Sequence, residues 1–301
     1  MIYATIKSMI TIGLDIGKSK TRGILLSGNK IKAVKEARYD TKILKAPELK
    51  EKILGLIEDL TKLSAKRVKA VGIGFPAPVI NGKLEQVFRI SDLGKINIEK
   101  IIQQKYKIPV FIENDANLAA LGEYYYGFKK KPKSLFLIIL GTGVGGGFIK
   151  NGKIENGRWS SGCEFGHTTM DFKDGDKCSC GMRGHVEAYA SSLFFKNQKL
   201  NSWEIFEKAK KGDRRSLNLW RQYGLNVGIA ISNIMNLIEP EVIILAGGLS
   251  DAYKFFIKSA IKRAKPNIVL KSVSKKLRVC KSRLGQNAGA LGAAVLARNK
   301  N

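Results

Sequence analysis

Both histidines of the chain, His167 and His185, lie in the stretch from Glu164 to Glu187, together with two of its four cysteines, Cys178 and Cys180. Two imidazoles and two thiols so close in sequence make a tetrahedral zinc set, since these are ligands that ion prefers. Two carboxylates, Glu164 and Glu187, are interleaved with them, and zinc does not need either. The stretch therefore reads in two ways. It is a structural zinc ribbon, or it is a metal-folded loop that points its carboxylates at a polar substrate.

A second kind of chemistry is written in glycines. Small-residue turns follow apolar runs at Asp15-Ile16-Gly17-Lys18-Ser19, at Gly141-Thr142-Gly143-Val144-Gly145-Gly146-Gly147, and at Gly247-Gly248. Such turns expose backbone N–H groups, and without a Cβ the backbone can approach a phosphate closely. Gly141, Gly143 and Gly146 also satisfy the spacing of a dinucleotide fingerprint. That motif must open a helix, whereas this one opens a hairpin, so the dinucleotide reading fails. No Gly-x4-Gly-Lys-Ser/Thr element exists in the chain, which excludes a P-loop protein. Asp15 beside the first turn is placed to hold Mg²⁺ through water. Asp115 follows Asn114 where a strand meets a helix: it is either a helix N-cap or a general base for an attacking hydroxyl.

The elements that must position these residues follow from periodicity. Residues 10–17 read as a buried strand, and residues 23–34 as a hairpin turning at Ser27-Gly28-Asn29-Lys30. Residues 47–64 place Leu49, Ile53, Leu56, Ile57 and Leu60 at helical spacing. A strand at 68–75 ends in the proline-rich stretch Gly74–Pro78, where a loop is expected. A helix at 98–106, a strand at 110–112 and a helix at 116–126 follow. The order then restarts with a buried strand at 135–140. Gly23–Ile31 and Gly146–Ile154 share one layout of strand, glycine–asparagine turn and return strand. Helices at 203–211 and 216–238, a strand at 242–246, a helix at 253–264, a strand at 277–280 and a small-residue helix at 287–297 complete the chain. Two matching halves imply an internally duplicated α/β fold with a cleft between them. The expected division is residues 1–115, completed by 286–301, and residues 116–285 carrying the zinc loop.

Composition bounds the classes. The 301 residues, 44% of them hydrophobic, are enough for one large or two smaller domains. No apolar run is long enough for a membrane span, and residues 1–8 lack the features of a secretory signal. The Cys-x-Cys pair points to metal binding and hence a reducing, cytoplasmic setting. The net charge of +28 would attract nucleic acid, anionic membranes or phosphorylated ligands. The lysines are scattered, however, and the densest cluster, Lys129–Lys133, reads as an exposed turn. No RNP, KH, zinc-finger or basic-zipper pattern accompanies them, so the charge reads as general lysine enrichment, not a nucleic-acid surface.

Taken in order, the Glu113-Asn114-Asp115-Ala116 stretch, the Leu140–Gly147 loop and the Cys178-x-Cys180-Gly181-x-x-Gly184-x-x-Glu187 block resemble the ROK family of sugar kinases and repressors, across essentially the whole chain. The resemblance implies a ribonuclease H-like, actin/hexokinase-type fold of two domains around a central cleft. It implies an ATP- and Mg²⁺-dependent kinase with Asp115 as the base that activates a sugar hydroxyl, usually on C6. Asn114, Glu164, His167 and Glu187 would bind ring hydroxyls, with zinc orienting His167 through one ring nitrogen. Asp15, Gly17, Lys18 and Ser19, then Gly141, Thr142, Gly143 and Gly145, then Gly247 and Gly248 would form the nucleotide loops. A homodimer is the assembly the resemblance suggests.

Three departures from the family pattern stand out. Lys18 and Ser19 replace a glycine and a threonine, and the lysine either adds charge near the ATP phosphates or points to solvent. Cys163 replaces a glycine beside Glu164. His185 replaces the third zinc cysteine, giving a set of two histidines and two cysteines. The Cys178-x-Cys180 spacing resembles the glucokinase and N-acetylmannosamine kinase branch, with the Gly74–Gly82 loop expected to meet the C2 substituent and glucose the favoured sugar. A repressor of the usual form would need a helix-turn-helix before Asp15, where too few residues are expected to hold one. A non-catalytic sugar-binding relative is the rival of another class.

Overall fold

The computed structural model describes residues 9–17, 19–39, 46–77, 79–80, 83–84 and 97–301. Lys18, Pro78, Asn81, Gly82 and the extension at residues 1–8 lie outside them, so the expectations for Lys18 and for part of the Gly74–Gly82 loop do too. Val79–Ile80 of that loop pairs antiparallel with Lys83–Leu84, just beyond it.

Contiguous apolar runs become central strands because both of their faces are covered. Strands β1 (Ile10–Ile16) and β4 (Ala70–Phe75) are buried almost throughout. With β2 (Lys20–Ser27), β3 (Lys30–Arg38) and β7 (Val110–Asn114) they form a five-stranded sheet ordered β3-β2-β1-β4-β7, in which β5 (Val79–Ile80) and β6 (Lys83–Leu84) take no part. β1, β2 and β3 are antiparallel neighbours, while β4 runs parallel to both β1 and β7. The second sheet repeats the plan. Its order is β10-β9-β8-β11-β12, from β8 (Ser134–Leu140), β9 (Val144–Lys150), β10 (Lys153–Ile154), β11 (Val242–Ala246) and β12 (Val279–Lys281). β8 is antiparallel to β9 and parallel to β11, which is parallel to β12. The duplication read from two strand–turn–strand segments thus extends to the five-strand order of each sheet and to the antiparallel and parallel pairings around β1 and β8.

Helix α1 (Ala46–Lys62) buries Leu49, Ile53, Leu56, Ile57 and Leu60, the residues that its spacing singled out. After α2 (Ile98–Tyr106) come α3 (Asp115–Tyr126), the short α4 (Val186–Ala190) and α5 (Leu193–Asn197), α6 (Ser202–Lys210), α7 (Arg214–Leu237), α8 (Tyr253–Asn267), the short α9 (Lys271–Lys275) and α10 (Ala288–Lys300). Residues 288–298 of α10 are buried on every side, as an all-round small and apolar helix requires. It approaches β1 and β4 so closely that a Cβ on Gly13 would lie 2.0 Å from Ala290 O, and one on Gly72 1.9 Å from Ala293 O.

The chain divides into two compact units. One comprises residues 1–131, 152–162 and 286–301, the other residues 132–151 and 163–285. The C-terminal helix joins the first unit as expected, but the expected boundary at 115/116 moves to 131/132. The reason is α3, which packs along α10 through Gly122 and Gly292: a Cβ at Gly292 would fall 1.8 Å from Leu118 O. The second unit has its own core, in which Trp220 stacks on Phe256, meets Tyr223 edge-on and tilts against Phe195. Among the described residues, no helix is long and apolar enough to cross a membrane.

Candidate active site and metal centre

In the first unit, β7 ends at Asn114 and α3 starts at Asp115. The cap is Asn114, not Asp115: its side chain accepts from the N–H groups of Ala116 at 2.9 Å and Asn117 at 3.3 Å, while its backbone stays extended. Asp115 occupies the first turn, with Oδ1 2.8 Å from Ala116 N. Beside the pair lies a carboxylate that sequence reasoning read only as part of a motif. Glu113 is buried and accepts from Asn114 N at 2.9 Å, Asn117 Nδ2 at 3.1 Å and Asn156 Nδ2 at 3.4 Å. Burial pushes its pKa above the usual carboxylate value, against those hydrogen bonds. Its place beside Asn114-Asp115 was the available signal, but burial is not legible in a residue type.

Asp15 stands near the C-terminal end of β1, directly over the start of α10. A Cβ on Gly289 would come within 2.5 Å of Asp15 Oδ2. Burial raises the Asp15 pKa to about 6, with Arg22 and Lys20 opposing the rise. The following turn is closed by Gly17 N donating to Lys20 O at 2.8 Å and by Tyr39 Oη donating to Gly17 O at 2.7 Å. Ser19 is exposed.

In the second unit the glycine segment is not a loop throughout. Gly141, Thr142 and Gly143 form the turn, closed by Gly141 N donating to Gly143 O at 3.0 Å. Val144 already begins β9, and Gly145, Gly146 and Gly147 pair with Ile139, Ile138 and Leu137. Gly145, expected in the nucleotide loop, is therefore a strand residue. Ladder pairing takes up the backbone where a sequence reader sees only flexible glycines. Gly247, at φ +85, starts the 3-10 turn Gly248–Ala252, and both glycines are exposed.

The four expected metal ligands are brought together. The ligand atoms of His167, Cys178, Cys180 and His185 all lie within 4.8 Å of one another. His167 Nδ1 is 3.6 Å from Cys178 Sγ, and His185 Nδ1 is 3.4 Å from Cys180 Sγ. Bonds of about 2.3 Å to sulfur and about 2.0–2.1 Å to nitrogen, set tetrahedrally, separate S and N by about 3.5–3.6 Å. The donor set fits zinc in type, the two S–N separations match that value, and Nδ1 of each ring faces a cysteine sulfur. The knuckle turns at Gly181 (φ +98), with Cys178 N donating to Met182 O at 2.8 Å. With no metal, burial pushes the Cys178 thiol up to about 12, and the neighbouring Glu187 adds to the rise.

Glu187 is 5% exposed, on the first turn of α4. Its carboxylate accepts from Val144 N at 3.1 Å, Cys178 Sγ at 3.2 Å, Ser179 N at 3.3 Å and the Ser179 hydroxyl. It thereby ties the start of β9 to the knuckle. Burial would raise its pKa, but these bonds and the nearby His167 outweigh burial and lower it. Glu164, next to the 3-10 turn Phe165–His167, has its pKa raised by loss of solvent, with His167 opposing and Glu187 adding. Cys163 beside it has φ +71, a left-handed backbone in which glycine fits without strain.

A family model described as the ROK family matches residues 11–300. The xylose repressor of Bacillus subtilis (strain 168) is 31% identical over 302 residues, spanning 97% of this chain and 78% of the repressor. The glucokinase of Thermotoga maritima is 27% identical over 313 residues, spanning 96% of this chain and 97% of the glucokinase. Among solved structures, a ROK family glucokinase from Streptomyces griseus, in complex with glucose and AMPPNP, matches with a TM-score of 0.81 at 27% identity. The match covers 96% of this chain and 99% of that one.

Proposed function

The chain belongs to the ROK family with an actin/hexokinase-like fold, and from that premise we propose that it is an ATP-dependent hexose kinase. It transfers the γ-phosphoryl group of ATP to the 6-hydroxyl of a sugar, with glucose favoured and an N-acetylhexosamine such as N-acetylmannosamine the alternative acceptor. The observation that carries the reading is the β7–α3 junction. Asn114 is the cap, accepting from Ala116 N and Asn117 N, and it sets Asp115 at the first helical position, where Oδ1 also accepts from Ala116 N. As base, Asp115 takes the proton from the 6-hydroxyl while the bond from that oxygen to the γ-phosphorus forms and the bond to the leaving ADP breaks.

Asn114, Glu164, His167 and Glu187 bind ring hydroxyls in this reading. The Asp15–Ser19 turn, the Gly141–Gly143 turn and Gly247-Gly248 would hold the nucleotide through backbone N–H groups, and Asp15 would hold Mg²⁺ through water. Zinc held by His167, Cys178, Cys180 and His185 supplies a folded knuckle. Nδ1 of His167 faces the Cys178 sulfur, which leaves Nε2 for a sugar hydroxyl. With Cys178 as a thiolate, its hydrogen bond to Glu187 is absent and one acceptor site on that carboxylate is open to substrate.

The 31% identity to a xylose repressor supports a second reading, a sugar-binding protein that transfers no phosphoryl group. ADP release with Mg-ATP, measured over a panel of hexoses and N-acetylhexosamines, separates the two. Turnover on one sugar supports the kinase. Sugar binding by calorimetry with no turnover supports the second reading.

A further inference from the structure

The second unit carries a feature that phosphoryl transfer does not use. Helices α7 and α8 pack side by side, and between their outer faces runs a groove of about 670 Å³. Its rim is basic: Arg221 from α7, and Lys254, Lys258, Lys262 and Arg263 from α8. Lys254, Lys258 and Lys262 repeat every four residues, so their side chains form one ladder along α8. No Asp or Glu occurs in residues 214–238 or 252–301. Among the described residues these five cations have no ion-pair partner. The two helices therefore present cations alone to the groove, while the acids Glu204 and Glu207 lie on α6, whose Phe206 packs 6.1 Å from Phe255.

The floor is apolar. Leu217 and Leu225 of α7, eight residues apart on one face, line the groove together with Phe255 of α8, and Leu225 is 42% exposed. Lys254 Nζ lies 4.9 Å over the Phe255 ring, so the rim and the floor are continuous. The groove is also preformed. A Cβ at Gly224 would lie 2.4 Å from Phe256 O, and one at Gly228 2.5 Å from Ala260 O, so the helices are locked backbone to backbone. From Lys254 to Pro266 the groove runs about 18 Å at the helical rise of about 1.5 Å per residue. That is the length of a helix of three turns.

We propose that this groove docks an acidic amphipathic helix of a partner protein, its apolar stripe on Leu217, Leu225 and Phe255 and its carboxylates on the lysine ladder. Charge complementarity selects the occupant. A second copy of this chain would bring the same cations, and an apolar floor serves a helix better than it serves a sugar–phosphate backbone.

The test uses the full chain and fluorescence anisotropy with three labelled probes. The first is a helix-stabilised peptide of about 14 residues, with leucines three and four residues apart and glutamates elsewhere. The second has the same composition scrambled to destroy the stripe, and the third is a uridine oligonucleotide of similar charge. The striped peptide is expected to bind at least about tenfold more tightly than the scrambled one, and added salt should weaken it. The triple variant Lys254→Glu/Lys258→Glu/Lys262→Glu should lose that binding with an unchanged melting temperature. Should the triple variant not fold, the single exposed change Leu225→Lys must reduce binding by a similar factor. Equal binding of striped and scrambled peptides would reduce the feature to bulk attraction by a +28 chain and overturn the proposal. Tighter binding of the oligonucleotide, no peptide binding, or binding untouched by the variants would each overturn it as well. A change in molecular mass on charge reversal would assign the face to a second copy instead.

Discussion

Replacing Glu187 by glutamine separates a scaffold role from a substrate role. The carboxylate collects Val144 N–H from the start of β9, and the N–H and hydroxyl of Ser179 from the knuckle. Glutamine has nearly the same volume but a single acceptor oxygen. Whichever way the amide is turned, its NH₂ faces either Val144 N–H or Ser179 N–H and leaves that donor without an acceptor. An orphaned donor costs about 1–3 kcal/mol, and the bonds that remain lose their ionic character, so Glu187→Gln should lose about 2–4 kcal/mol. Thermal unfolding reads the loss, and metal analysis of the purified variant should show reduced zinc. The pH dependence follows from sign. The folded-state pKa of Glu187 is lowered, so its contribution is complete above the ordinary carboxylate value and is lost as pH falls through the folded-state value. Parent and variant should therefore differ at neutral pH and converge in acid. Equal stability and zinc content at neutral pH, with only the KM for sugar raised, would refute the scaffold argument and leave Glu187 as a substrate ligand alone.

Asp15→Asn should raise stability while lowering activity. The folded-state pKa of about 6 against 3.8 means that ionised Asp15 opposes folding. The protonated form favours the fold below the ordinary value, and that advantage is lost as pH rises through about 6. The variant should therefore gain up to about 3 kcal/mol at pH 8 and nothing at pH 3, read by melting temperature. A variant less stable than the parent at pH 8 would contradict this. Cys163→Gly relieves a left-handed backbone worth about 1–2 kcal/mol, less the entropy that glycine adds to the unfolded chain, for a net gain of about 0.5–1 kcal/mol. Urea titration checks it, and a destabilised variant would show that the cysteine side chain makes a compensating contact. Zinc removal by a chelator should lower the melting temperature by several degrees. His185→Cys should retain metal, while His185→Ala should lose it; full zinc occupancy in the alanine variant would remove His185 from the ligand set.

The sequence exposed those parts of this molecule that are repeated or local. The matching segments Gly23–Ile31 and Gly146–Ile154 announced the duplicated sheets, because a strand and its turn are encoded within a few residues. The clustering of His167, Cys178, Cys180 and His185 was legible because these are rare residue types in one short stretch. Features set by distant packing were not legible. The boundary at 131/132 depends on Gly122 and Gly292 letting α3 and α10 touch, a pairing across most of the chain. Gly145 reads as loop until β8 supplies the ladder that makes it strand. The cap assignment turned on geometry: Asn114 and Asp115 both accept from Ala116 N, and the extended backbone of Asn114 with its bond from Asn117 N decides it. Glu113 was read only as part of a motif, because nothing in its type reveals that it is buried and accepts from Asn114 N and Asn117 Nδ2.

The most direct test of the central claim is ADP release from Mg-ATP in the presence of glucose, mannose, fructose, N-acetylglucosamine and N-acetylmannosamine, with Asp115→Asn measured beside the parent protein. The account predicts turnover on one sugar, glucose first, and a collapse of at least about a hundredfold in kcat in the variant, the usual range for loss of a general base. Absence of turnover on every sugar, in protein that is folded, carries its metal and binds sugar, would contradict the kinase. Turnover that survives in Asp115→Asn would contradict the assignment of the base.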